Sequence, residues 1–211
     1  MLARHGAAAV PRGFVDTYCS GVLLLLASVL GGVVVGRLRG GHFARLGELH
    51  PHRWSLVLLA VGAQLVGVLA GATSSSYTGL LVAAFLAACF VAANRGVPGL
   101  GLILAGLVCN LLVITVNDGA MPVKLQSLAR VGKSTGALLH DPLHQPEDAS
   151  TSFAVLDDWI PVVSPLPWGS SVASPGDVLV AAGAALFVAD GVALGARARR
   201  RRDEGLSRAG T

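Results

Sequence analysis

Side chains able to do chemistry are few in this chain of 211 residues, and several sit where chemistry would be costly. Gln64, Asn110, Asn117 and Asp190 fall inside long apolar runs, where leaving a polar group unpaired is expensive. Asn110 and Asn117 are seven residues apart, which puts them on one helix face about two turns from each other. Such residues read as interhelical hydrogen-bond partners, or as an intramembrane polar path formed by Gln64, Asn110 and Asp190. For Asp190, Arg37, Arg95 and Arg197 are candidate ion-pair partners.

Two short motifs carry more local information. Asn117, Asp118, Gly119, Met121 and Pro122 form a turn in which Asn117 caps a helix, Gly119 takes a positive φ, Met121 anchors an apolar contact and Pro122 starts the next helix. Ser174, Pro175 and Asp177 read as a helix cap, with Ser at the N-cap, Pro at the first helical position and Asp two residues on. Asn94-Arg95-Gly96 reads as a helix stop.

Other chemistries lack their ligands. His140 and His144 stand four apart beside Asp141 and Asp148, but Pro142 between them removes helical geometry, so no metal site is expected. Cys19, Cys89 and Cys109 lie in apolar runs without a Cys-x-x-Cys pair, which argues against zinc ribbons, thiol redox pairs and haem attachment. No catalytic triad or phosphate loop is assignable, and no cofactor is implied.

The elements that must position these residues are hydrophobic. Of all residues 53% are apolar and 13% charged, about half the charge of a soluble domain. Five runs, at about 15–36, 55–72, 77–93, 100–117 and 177–196, approach or exceed the roughly 18 apolar residues that cross a bilayer as a helix. The fold class expected is therefore all-α: a single polytopic membrane domain over 1–211 with five transmembrane helices. Arg37 and Arg39 after the first run give it a stop-transfer pattern and argue against a cleaved signal.

Alternate connecting segments hold eleven Lys and Arg against five, which places the amino terminus outside and the basic tail, 197–211, in the cytoplasm. That tail anchors at the membrane edge and gives no reason to expect nucleic acid. The one long connection, 118–176, then lies outside. Pro122 to Lys133 has an amphipathic pattern and Phe153 to Ile160 carries Trp159, so both ends are expected to form short interfacial helices. Between them His140 to Thr151, polar and broken by prolines, is expected to be disordered. Gly32-x-x-x-Gly36, Gly67-x-x-x-Gly71, Gly191-x-x-x-Gly195 and the stripe Ala84, Ala88, Ala92 suit close helix packing or self-association.

Three places carry a resemblance: Arg39-Gly40-Gly41, Asn117-Asp118-Gly119-Ala120-Met121-Pro122-Val123 and Ser174-Pro175-Gly176-Asp177. With them the chain resembles a family of small bacterial multi-pass membrane proteins of unknown function, whose pattern has a second glycine where this chain has Asp118. The resemblance implies a bacterial cytoplasmic membrane and brings no activity. The leading expectation is a non-enzymatic component that binds a partner protein or lipid at the outer interface. The alternatives are an oligomeric transporter or channel, and a membrane enzyme acting on lipid or envelope precursors through Asp118 or His140. Expected partners are membrane lipids, another membrane protein or a second copy.

Overall fold

Each apolar run closes its backbone hydrogen bonds within itself, and the computed structural model, which describes residues 12–41, 52–70, 73–140, 143–164 and 169–209, is mostly helical. Helix α1 spans Arg12–Leu38, α2 Trp54–Leu69, α3 Thr73–Ala93 and α4 Leu100–Val116. After α4 come β1 (Met121–Val123), α5 (Leu125–Arg130), a 3-10 turn (Thr135–His140), β2 (His144–Pro146), β3 (Ile160–Val162) and β4 (Ser171–Ala173). Helix α6 (Pro175–Ala209) closes the order, so the basic segment expected as a tail continues the helix. Within it Pro175–Ala193 is long and apolar enough to cross a membrane, with a mean hydropathy of 1.7. Leu23–Leu38, Trp54–Gly67, Tyr77–Ala93 and Leu100–Val116 are shorter apolar helical stretches.

Helix α6 is the hub, packed against both α1 and α4, while α2 and α3 form a hairpin that joins the rest through α4. Small residues set these distances. A Cβ at Gly32 would strike the Ala185 backbone and one at Gly36 would meet Val192 at 2.6 Å, so the first glycine pair serves α1–α6 contact within the chain. Gly106 and Gly176 do the same between α4 and α6, and Gly79 rests on Ala63 and Gly67 between α3 and α2. Gly71 lies outside the described residues.

The long connection is a folded cap. Strands β1 and β2 pair in parallel, Met121 with His144 and Val123 with Pro146, and β3 pairs with β4 antiparallel, Ile160 with Ala173. A further bridge joins Val123 to Asp158, so β1 lies between two segments and is buried along its whole length. This corrects three expectations. Pro122 does not begin a helix: it sits inside β1 and accepts from Asp158 N–H at 3.0 Å, while the six-residue α5 starts at Leu125. The segment after Phe153 is a turn leading into β3, not an interfacial helix. The stretch around His144 to Thr151 is ordered, because β1 supplies a ladder and Asp148 supplies its own turn: Ser150 N–H and Oγ donate to its carboxylate at 2.8 and 2.6 Å. Those donors hold the Asp148 carboxyl below its ordinary pKa. The helix stop at Asn94-Arg95-Gly96 holds, with α3 ending at Ala93, and a positive φ of 87° falls on Gly99, at the N-cap of α4.

Candidate functional site

The end of α4 shows how the cap is fastened. Asn117 is the C-cap residue and is 6% exposed. Its amide donates to Val113 C=O at 2.8 Å and to Ser152 C=O at 2.9 Å, and its Oδ1 accepts from Ser152 N–H at 2.9 Å. A side-chain amide thus pairs with a peptide group as a neighbouring strand would, while Gln145 donates to the Asn117 carbonyl at 3.1 Å. Asp118 follows with φ of +57° and Gly119 with +85°, and Gly119 N–H reaches back to Ile114 C=O at 2.9 Å. Two consecutive left-handed residues explain why a second glycine suits position 118 and why an aspartate, which tolerates that region better than most, stands there. Met121 then turns inward against Val113 and Ile114, with Tyr77, Leu80 and Leu156 around them.

Beyond β1 the cap buries charge. Asp158 is 5% exposed, bridges Val123 through its backbone and lies 3.5 Å from His144 Nε2. Asp157 is fully buried, and neither of its carboxylate oxygens has a hydrogen-bond partner. Burial, together with the nearby charge of Glu147 and against that of Lys124, pushes its pKa up to about 6. The same stretch of chain carries an apolar rim: Phe153, Val155 and Trp159 are exposed yet held. Phe153 adopts a φ of +57°, rare for a bulky side chain; Leu156 N–H donates to its carbonyl at 2.8 Å, and Trp159 Nε1 donates to Val155 C=O at 2.9 Å.

The start of α6 is the second fastening. Ser174 Oγ accepts from Asp177 N–H at 3.0 Å and the Asp177 carboxylate accepts from Ser174 N–H at 3.1 Å, a reciprocal capping box with Pro175 in the first turn. Asn110 completes it, donating to Asp177 at 2.7 Å and accepting from Ser174 Oγ at 2.9 Å. A Cβ at Gly176 would strike Asn110 Oδ1, so the glycine in Ser-Pro-Gly-Asp is a packing requirement. A small cavity of about 140 Å³ lies beside this cap, walled by Leu24, Val162, Val172 and Val180.

Asn110 and Asp190 of the expected polar path lie apart. Asn110 spends both ends of its amide on the α6 cap, and Asp190 lies thirteen residues further along α6, about 20 Å away by helical rise. Gln64 sits in α2 with a buried Oε1 that lacks a partner. Of the metal candidates, His144 faces Asp158, Asp148 is engaged by Ser150, and Asp141 lies outside the described residues. Among the described residues no group of three or more His, Cys, Asp or Glu is arranged to hold a metal ion. Asp157, Ser152, Gln145 and Asn94 escaped sequence reasoning as site residues. An Asp-Asp pair inside an apolar stretch was the available signal for the first, whereas the others bond to segments distant in sequence, Ser152 and Gln145 to Asn117 and Asn94 to His52, and leave none.

The pattern of a family of unknown function (DUF5317) matches residues 52–189, from the foot of α2 through the cap and into α6, and the chain belongs to that family. It is similar to an uncharacterized protein of Thermotoga maritima, 39% identical over 98 residues. The match covers 44% of this chain and 52% of that protein, so the chain spans about half the length of this relative. No solved structure matches it.

Proposed function

We propose that the chain is a five-span protein of the bacterial cytoplasmic membrane whose outer cap binds a partner protein or lipid without catalysing a reaction. The observation that carries this reading is the rim of Phe153, Val155 and Trp159, exposed apolar side chains fixed in place, one of them in a strained backbone conformation. Strain of this kind costs about 1–3 kcal/mol and persists where the surroundings over-determine it, which suits a binding surface held ready. The membrane part is supported by the outward placement of apolar side chains: Leu26, Leu30, Leu58, Val66, Leu69 and Phe85 are all more than half exposed. In a bilayer that surface faces lipid, while Asn94, Asn110 and Asn117 turn inward to hydrogen bonds.

Two labels in intact cells test it. With the three cysteines replaced, a membrane-impermeant maleimide should label a Ser150→Cys cap and spare a Ser207→Cys carboxyl end. A photoreactive side chain at Val155 should give a discrete protein or lipid adduct that one at Ala149 does not. Labelling of both cysteines or of the carboxyl end alone would reject the topology, and identical adduct patterns at the two photoreactive positions would reject the binding surface.

A further inference from the structure

Two segments far apart in the sequence meet at the foot of the α2–α3 hairpin, each with an arginine one residue from the contact. Asn94, 5% exposed, accepts from His52 N–H at 2.7 Å and donates to His52 C=O at 3.0 Å and to Phe90 C=O at 2.8 Å. This clamp sets His52 and Arg53 against the end of α3, one residue before Arg95. A groove of about 530 Å³ opens there, walled by Cys89, Ala92 and Ala93 and headed by His52 and Arg53. No acid lines it. Arg53 and Arg95 are exposed, and among the described residues neither side chain has a hydrogen-bond or ion-pair partner. Arg53 also keeps a φ of +63°, fixed on one side by the clamp and on the other by Leu56 N–H, which donates to its carbonyl at 3.0 Å. Trp54, half exposed with its ring 5.8 Å from that of Phe90, stands where an indole marks headgroup level.

We propose that this groove binds one anionic phospholipid, its phosphodiester on Arg53 and Arg95 and the start of an acyl chain along Cys89, Ala92 and Ala93. Charge complementarity selects the occupant. A zwitterionic lipid brings an ammonium that, among the described residues, would meet the arginines and no acid, and a soluble anion would leave the apolar wall unused. The proposal rests on the membrane reading above, but it concerns the opposite end of the helices from the cap and adds a lipid class to it.

The test uses full-length protein in mild detergent, with phosphatidylglycerol or phosphatidylcholine added and retained lipid counted by native mass spectrometry. Wild type should hold one phosphatidylglycerol in preference to phosphatidylcholine. Arg53→Gln and Arg95→Gln should each weaken it about fivefold, as expected for one cation near a lipid surface. Ala92→Trp, an exposed position, should displace it by filling the wall with the charges intact. Equal retention of the two lipids, unchanged binding in the double glutamine variant, or displacement by inorganic phosphate with Ala92→Trp indifferent would each overturn the proposal. Alkaline carbonate extraction of membranes separates the two readings. A wild type released by carbonate rejects the membrane assignment, whereas a carbonate-resistant protein without phosphatidylglycerol preference rejects only the lipid site.

Discussion

Replacing Asp157 by Asn should make the protein more stable at neutral pH and less dependent on pH. Asp157 is wholly enclosed and its two oxygens lack donors, so ionising it removes a charge from water with nothing in return. Its pKa moves from 3.8 to about 6, with desolvation the largest cause, Glu147 adding to it and Lys124 opposing it. The sign follows from proton linkage. A carboxyl with a raised native pKa binds its proton more tightly when folded, so its penalty is absent below about pH 3.8, grows between 3.8 and 6, and is constant above. Converted at 1.36 kcal/mol per pKa unit, the full penalty is about 3 kcal/mol. Asparagine is nearly isosteric and uncharged, but its own buried amide costs about 1–2 kcal/mol, leaving a net gain of about 1–2 kcal/mol at pH 7.5. The assay is thermal unfolding of both proteins in the same detergent at pH 4, 5, 6 and 7.5. Their difference isolates Asp157, since every other ionisable group is common to both. The wild-type midpoint should fall relative to the variant across pH 4 to 6 and run parallel above. Parallel profiles throughout, or a variant less stable at pH 7.5 than at pH 4 by the wild-type margin, would refute the idea that an unpaired buried charge sits there.

Two further outcomes follow from the end of α4. Asn117→Ala removes the amide from a buried site with three bonds, so it should cost about 2–4 kcal/mol and open the cap near Ser152 to protease; limited proteolysis of the purified protein checks it. Asp118→Gly should stabilise by about 0.5–1 kcal/mol by relieving the left-handed φ and Asp118→Val should destabilise, an opposition that chemical denaturation at neutral pH would reveal.

Hydrophobic runs and cap residues were legible because they act locally. The five apolar stretches are helical, Gly119 has its positive φ, and Ser174-Pro175-Gly176-Asp177 opens α6 as its residue types dictate. The cap was not, because its order comes from partners distant in sequence. Met121 pairs with His144 and Pro122 with Gln145, and each strand is three residues long, too short for an alternating pattern to register. Proline at position 122, which reads as a helix start, suits β1 because its missing N–H is not needed there while its carbonyl accepts from Asp158. Low hydrophobicity in His140 to Thr151 resembled disorder because composition carries no record of a side-chain turn such as that of Asp148.

The two asparagine clamps explain how a chain with so few polar groups fixes its loops. At the ends of α3 and α4 the last turn leaves carbonyls without intrahelical donors. Asn94 and Asn117 each donate back to the carbonyl four residues earlier, Phe90 and Val113, and use the rest of the amide to hold both backbone groups of one incoming residue, His52 or Ser152. Aspartate could accept but not donate, and serine is too short to do both, so only an amide of this length closes the pair. One clamp holds the cap and its aromatic rim, the other holds Arg53 at the head of its groove. The same local chemistry at opposite ends of the helices therefore positions both proposed binding surfaces, and it needs no buried ion pair to do so.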